Sequence, residues 1–379
     1  MCLVGRKLLI ISHTPHARNA ANRIVGWGPT ISEINFLAQF WKEVVHVGCL
    51  SNQSDDSSMQ AYERDNIRFS PIPEFGGKSI LKKINILTNA PRIICRIIRE
   101  LKGTSHVQIR VPMGIGVYVL PLFWFYPRRF ILWVKYANNW EHVSNSIVYR
   151  FQRWLLKKDI LKCCVTINGF WLNQSTHLKS FENPCISNSQ FQLGGLLKKD
   201  FNGPFKLVFA GRIESAKGID ILIQALPKLP HERIQEWTFL GDGTLREDLK
   251  SKLDEQGIDS KFMGFVSQQD VHDQLRNAHF LILPSKSEGF PKVVAEAWNY
   301  GCIPIVSSVG SLPHYVVQGE NGFLLSELSS NGLYAAMHKA LTMSRETLNE
   351  ISRNGNDMAS RFTFDYYIHH LKKDIFNDN

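Results

Sequence analysis

The stretch HFLILPSKSEGFPKVVAEAWNYGCIPIVSS, residues 279–308, decides the fold. It opens on an apolar run, HFLILPS, and passes through the polar turn Glu288-Gly289-Phe290. It then continues as a helix from Pro291 and closes on a second apolar run, IPIVSS. Two continuously apolar runs joined by a helix specify neighbouring parallel strands covered on both faces. Pro291 suits the first helical turn, where a missing N–H costs nothing. The backbone of residues 289–293 (Gly289, Phe290, Pro291, Lys292, Val293) then forms a helix N-terminus, whose free amides attract anions.

Working outward, the same alternation fills the second half of the chain, from KLVFAGR (206–212) through WTFLGDG (237–243) to GFLL. The first half alternates too, with KLLIIS (7–12), a helix over SEINFLAQFWKE (32–43), then VVHVGCL, IRFSPI, HVQIRVP, RFILWVKYA and CCVTING. The fold class is α/β, two Rossmann-like domains facing across a cleft. Residues 186–205, rich in Gly, Ser, Asn and Lys, read as the linker. The expected domains are 1–190 and 205–360. The helix 361–379 packs back on the first through residues such as Phe362, Tyr366, Ile368 and Phe376.

Charges at strand ends mark the chemistry. Arg212 follows a strand and Lys217 opens a helix five residues on, so together they suit a diphosphate, Arg by a bidentate grip and Lys as a point charge. The competing reading is a salt-bridge cluster with Glu214 and Asp220. Gly241 and Gly243 leave room for a ligand, or simply make a turn. Glu296 lies eight residues beyond Glu288, about two helical turns or ~12 Å along the axis. One elongated ligand fits that span, with sugar hydroxyls at Glu288, a diphosphate on the amides and ribose hydroxyls at Glu296.

Two glutamates in this spacing, with GFP after the first and an A-x-x-x-G-x-P-I/V-x-x-S continuation, resemble the E-x7-E signature of retaining glycosyltransferases of the GT-B fold, glycosyltransferase family 4. The FAGR…KG block, the GDG turn, the MGFV strand and SVGSLPHYVVQGENGFLL follow in that family's order over roughly residues 206–325. The resemblance implies that Arg212 and Lys217 neutralise the diphosphate, Glu288 contacts the donor sugar and Glu296 the ribose, with Gly310 lining the donor side. It implies transfer of a sugar from a nucleoside diphosphate to a hydroxyl acceptor, with retention of configuration. The cationic groups make a metal unnecessary, and no D-x-D motif occurs. No cofactor is expected.

The first half resembles the family less. Gly26 and Gly28, before a helix capped by Thr30 or Ser32, stand where the family has a glycine-rich loop. The family's acceptor-side histidine, in an H-x-P-like turn, is replaced by IRVPMGIG, with Arg110 and Pro112. His106 and the cluster KYANNWEHV (135–143), with Lys135, Asn138, Asn139, Trp140 and His142, are the remaining acceptor-side candidates. A plain polar turn explains the cluster equally well.

Composition sets the outer limits. The chain has 379 residues, 44% hydrophobic and 21% charged, enough for two buried cores. Residues 1–200 hold 26 Lys+Arg against 12 Asp+Glu, so the net charge of +10 belongs to the first half. Much of it lies at 78–103, where Ile93, Ile94, Ile97, Ile98 and Leu101 alternate with Arg92, Arg96, Arg99 and Lys102. That is a core-packed helix with a solvated basic face, or one lying on an anionic membrane. No recognition motif accompanies the charge, so nucleic acid is not an expected partner. The apolar segment 117–134 is interrupted by Pro121, Pro127, Arg128 and Arg129, too soon for a span. Seven scattered cysteines read as reduced thiols, and the expected location is cytoplasmic, in peripheral contact with the membrane. The expected partners are a nucleotide-sugar donor and a glycan or lipid-linked acceptor, as in bacterial surface polysaccharide or glycolipid synthesis. A nucleotide-sugar epimerase or phosphorylase on the same fold, or a non-catalytic sugar-nucleotide-binding protein, are the alternatives.

Overall fold

The computed structural model describes residues 4–51, 59–74, 85–127, 129–141 and 146–376. They form two compact units, one running up to Phe181 and resuming at Ile368, the other Glu182–Tyr367.

The first unit is built on β1 (Gly5–Arg18), β2 (Ile24–Trp27), β3 (Trp41–Leu50), β4 (Met59–Ala61), β5 (Ile67–Ile72), β6 (His106–Val111), β7 (Ile131–Tyr136), β8 (Cys164–Ile167) and β9 (Leu178–Ser180). Its parallel strands lie in the order β5-β3-β1-β6-β7-β8-β9, with β2 and β4 added antiparallel at the far end of β1. Helices Ala90–Glu100, Gly116–Phe125 and Ile147–Lys157 cover one face. Ile93, Ile97, Val119, Leu120, Phe123, Leu155 and Leu156 pack there on Leu9, Val45, Ile109, Val134 and Val165.

The second unit contains β10 (Phe205–Ala210), β11 (Ile234–Leu240), β12 (Ser260–Gly264), β13 (Phe280–Leu283), β14 (Ile303–Ser307) and β15 (Phe323–Leu325). They are all parallel, in the order β12-β11-β10-β13-β14-β15. In both units the first strand is central and the order reverses beside it, at β1/β6 and at β10/β13. This is the Rossmann arrangement, which places ligands at the carboxyl ends of those strands.

Several local expectations change. The helix expected over 32–43 is Gly28–Leu37, starting earlier because Pro29 occupies its first turn, and Trp41 to Glu43 already belong to β3. The expected linker carries a helix, Asn188–Gly195, fixed by a Ser187/Gln190 capping box. Gly194 approaches Asn299 so closely that a Cβ there would stand 2.0 Å from the Asn299 carbonyl oxygen. At the C-terminus, Phe362 is buried in the second unit, whereas Phe376 packs on Trp41, His106 and Trp133 of the first. Among the described residues no helix is long and apolar enough to cross a membrane, and the six cysteines are free thiols. Cys2, Lys78 to Lys83 of the basic segment, Arg128 and His142 lie outside the described residues.

Candidate active site

The strand order of the second unit brings two loops together, one after β10 and one after β13. Lys217 ends the 3-10 turn Ser215–Lys217 of the first loop, and Glu288 lies in the second. Lys217 Nζ donates to Glu288 Oε1 at 2.5 Å, with the side chains 25% and 12% exposed. An ion pair therefore spans the switch point and remains within reach of solvent. Arg212 turns outward instead, its side chain 64% exposed and its Nη1 3.3 Å from Glu214. The anticipated salt-bridge cluster is thus partly present, but Asp220 takes Lys286 (2.6 Å) and Ser215 (3.0 Å) as partners rather than Arg212 or Lys217.

Glycines hold the loops in contact. Gly241 has φ 133°, and a Cβ there would stand 2.0 Å from the Gly211 carbonyl oxygen. Gly310, at φ 60°, leaves the same lack of room, with the Glu288 carbonyl oxygen 2.1 Å from its would-be Cβ. Only a residue without a side chain lets backbone approach this closely in the left-handed region. Next to it, Ser311 donates to the Gly289 carbonyl from its N–H (3.0 Å) and its hydroxyl (2.8 Å), which fixes the turn bearing Glu288.

The helix that follows is Lys292–Asn299, with Pro291 as N-cap rather than inside the first turn. Its first internal bond runs from the Val294 N–H to the Pro291 carbonyl at 3.0 Å. The N–H groups of Gly289 and Phe290 have no hydrogen-bond partner among the described residues, which leaves them available to an anion. The Phe290 ring is buried and stacks on Phe362 at 4.6 Å. Because the helix starts only at Lys292, Glu288 and Glu296 are separated by an extended segment plus about one helical turn, not by two turns.

Glu296 is buried, and burial pushes its carboxyl up to about 7 against the opposing pull of Lys292 and a hydrogen bond from Gln268. His272 Nε2 lies 4.0 Å away, but burial pushes that ring down to about 4. At neutral pH the pair is not one of opposite charges. The His272 Nδ1 is shared with the Tyr300 hydroxyl at 2.9 Å.

The first unit has a cavity of about 300 Å³ at its own switch point, lined by Ser12, His13, Thr30, Arg110, Lys135 and Asn138 among others. Arg110 and Lys135 face each other in register across β6 and β7. Both close on Glu33 of the helix Gly28–Leu37, Arg110 Nη2 at 2.9 Å and Lys135 Nζ at 2.9 and 2.8 Å from the two oxygens. Ser12 Oγ meets His46 Nε2 at 2.8 Å, and the Tyr62 hydroxyl joins His46 Nδ1 (2.7 Å) to His16 Nε2 (2.9 Å). Burial pushes His16 down to about 4 and His46 well below the usual imidazole range, the latter reinforced by His16 and the Arg110 charge. Both rings are neutral at physiological pH.

Of the acceptor-side candidates, Arg110, Lys135 and Asn138 line this cavity. Gly26 does not sit in a loop. It lies in β2 opposite His16, where a Cβ would meet the imidazole at 2.6 Å, and Gly28 is the first helical residue. Asn138 and Asn139 accept from the N–H groups of Asn139 (2.8 Å) and Glu141 (3.1 Å), as in a plain polar turn. Trp140 is buried on Tyr136, and His106 is buried, accepting from Trp41 Nε1 at 3.2 Å. Glu33 and the His16–Tyr62–His46 chain were not anticipated. A lysine inside the apolar strand ILWVKY, beside an arginine in IRV, was the available sign that a buried anion must answer them.

Two Rossmann-like units, the second with its charged pair at the switch point, define the GT-B class of fold. Sucrose-phosphate synthase from Thermosynechococcus elongatus superposes with a TM-score of 0.69 over 99% of this chain and 100% of its own, at 16% identity. Anabaena HepE in complex with UDP-glucose gives 0.66 over 97% and 98%, again at 16% identity. Residues 198–358 match the family model described as glycosyl transferases group 1. An uncharacterized glycosyltransferase of Methanocaldococcus jannaschii is 26% identical over 167 residues, 44% of this chain and 46% of the relative. The chain thus spans less than half the length of that relative.

Proposed function

We propose that the chain transfers a sugar from a nucleoside-diphosphate donor to a hydroxyl acceptor with retention of configuration, in the synthesis of bacterial surface polysaccharide or glycolipid. The observation that carries this reading is the Lys217–Glu288 pair across the switch point, with unbonded amides at Gly289 and Phe290 beside it. An arriving diphosphate exchanges places with the Glu288 carboxylate on Lys217, and the released carboxylate turns to the sugar hydroxyls. Arg212 swings from Glu214 to grip the leaving phosphate. Lys217, Arg212 and the amides then stabilise the charge that builds on the diphosphate as the glycosidic bond breaks. That stabilisation is the main demand of an oxocarbenium-like transition state.

Glu296, once ionised, accepts from both ribose hydroxyls. The relatives' names and the UDP-glucose bound to HepE support such a donor. With these cations in place the reaction proceeds without a metal or other cofactor. The test is binding and turnover of UDP-, GDP- and ADP-sugars by the purified chain, with and without chelator. Binding without turnover on any acceptor favours the non-catalytic alternative, interconversion of the free donor an epimerase, and no binding at all ends the donor reading.

A further inference from the structure

We propose that the face of the first unit formed by the helices Ala90–Glu100, Gly116–Phe125 and Ile147–Lys157 docks on an anionic membrane surface. The three helices pack side by side on one face of the sheet, the first against the second and the second against the third. Their inward residues fill the core, so the opposite sides look outward together. Across the three, six Arg and Lys stand against one acidic residue, Glu100. That glutamate is buried and taken up by Arg68 at 2.6 Å and Ser70 at 2.9 Å.

On the first helix the charge has no acidic partner among the described residues. Arg92, Arg96 and Arg99 recur at helical spacing and line a groove of about 650 Å³, walled elsewhere by Leu50, Pro71 and Pro73 and by no carboxylate. None of the three arginines has an ion pair among the described residues. A solvated basic face usually carries interspersed acids, and among the described residues none lines this groove.

The second and third helices also expose large apolar side chains. Trp124 is 53% exposed and Phe125 77%, their rings 4.7 Å apart at the end of the second helix, and Trp154 on the third is 52% exposed. A soluble surface loses solvation free energy by showing such rings, whereas the headgroup region of a bilayer accepts a ring body and its polar edge together. Arginine phosphate contacts and ring insertion are the two signals that stable peripheral binding requires. Nucleic acid would use the arginines but leaves Trp124 and Phe125 without a role.

The inference rests on the first unit alone, and nucleotide binding in the second is its control. The test is flotation of the full chain with neutral phosphatidylcholine vesicles and with vesicles containing phosphatidylglycerol. Binding is expected to the anionic vesicles and to weaken with salt. Arg92→Ala/Arg96→Ala/Arg99→Ala should lower the partition coefficient by roughly 100-fold, about fivefold for each charge. Trp124→Ser/Phe125→Ser should remove the part of the binding that survives high salt, and both variants should bind UDP as the parent does. Equal behaviour on neutral and anionic vesicles, unchanged partition of the arginine variant, or a preference for duplex DNA over vesicles would overturn the proposal.

Discussion

The two units share a strand order and build opposite kinds of charged cluster where it reverses. In the second, the partners come from loops, Lys217 after β10 and Glu288 after β13, and solvent reaches both. In the first, Arg110 and Lys135 come from neighbouring strands and meet Glu33 in a helix, every side chain a tenth exposed or less. The loop pair keeps some contact with water, so it has less desolvation to recover than the trio and a ligand can exchange into it more readily. A buried trio is part of the fold, because freeing any member leaves uncompensated charge. The same topology thus carries a partly solvated ion pair or a buried clamp, according to whether loops or strands contribute the charges.

The largest expected effect comes from breaking the clamp. Glu33→Ala leaves two buried cations facing each other across one ladder rung, and should cost about 3–5 kcal/mol in urea unfolding. A cost under about 1 kcal/mol would mean that water already compensates the trio. The corresponding cut in the second unit should leave stability nearly intact and strike catalysis. Lys217→Ala is expected to lower kcat/KM by roughly 10²–10³, the usual effect of removing one preorganised charge from a transition state. An unaltered rate would move leaving-group stabilisation elsewhere.

Glu296 stands between the two cases, a buried carboxyl on the helix of the proposed donor site. Its folded value of about 7 lies above the ordinary 4.5, so as pH rises the unfolded chain gives up this proton first. The stability it contributes is complete below pH 4.5 and is lost as pH climbs through 7, to a total of about 3 kcal/mol. Glu296→Gln should flatten that decline, read as thermal midpoints at mildly acidic and mildly alkaline pH. The same variant should weaken nucleotide binding. A pH slope identical to the parent's would show that another group dominates the window.

What was legible in the sequence follows the same division. The proposed second site lies within one contiguous block, where the turn, the glutamate spacing and the glycines report local geometry, and the structure brings Lys217, Glu288 and Gly310 together there. The error there was local too, since Pro291 capped the helix instead of entering it and shortened the helical path between the glutamates. The first site is assembled over long separations, with Glu33 and Lys135 102 residues apart. Its partners meet only through the order in which β1, β6 and β7 pair, and no local pattern encodes that. Similarly, Gly26 looked like part of a ligand loop because its real reason, the His16 ring across a hairpin, lies ten residues away in the chain.

The smallest expected effect separates loop from strand most cleanly. Arg212 and Arg110 each follow or end a central strand and each pair with a glutamate, at 3.3 and 2.9 Å. Exposed as it is, Arg212 should contribute almost nothing to the resting fold, and Arg212→Ala is expected to shift unfolding by less than about 0.5 kcal/mol. Its loss should appear only with ligand present, as a roughly tenfold weaker nucleoside diphosphate, the lower end of what a hydrogen bond to a charged group contributes. Arg212→Lys should recover part of that, because charge returns without the bidentate fork. Arg110→Lys should do the reverse, costing stability because a lysine cannot hold Glu33 and Gln108 together as the guanidinium does (2.7 Å to Gln108). If Arg212→Ala destabilised the unliganded chain as much as Arg110→Lys, exposure would not be what distinguishes the two clusters, and the difference would have to lie in the ligand itself.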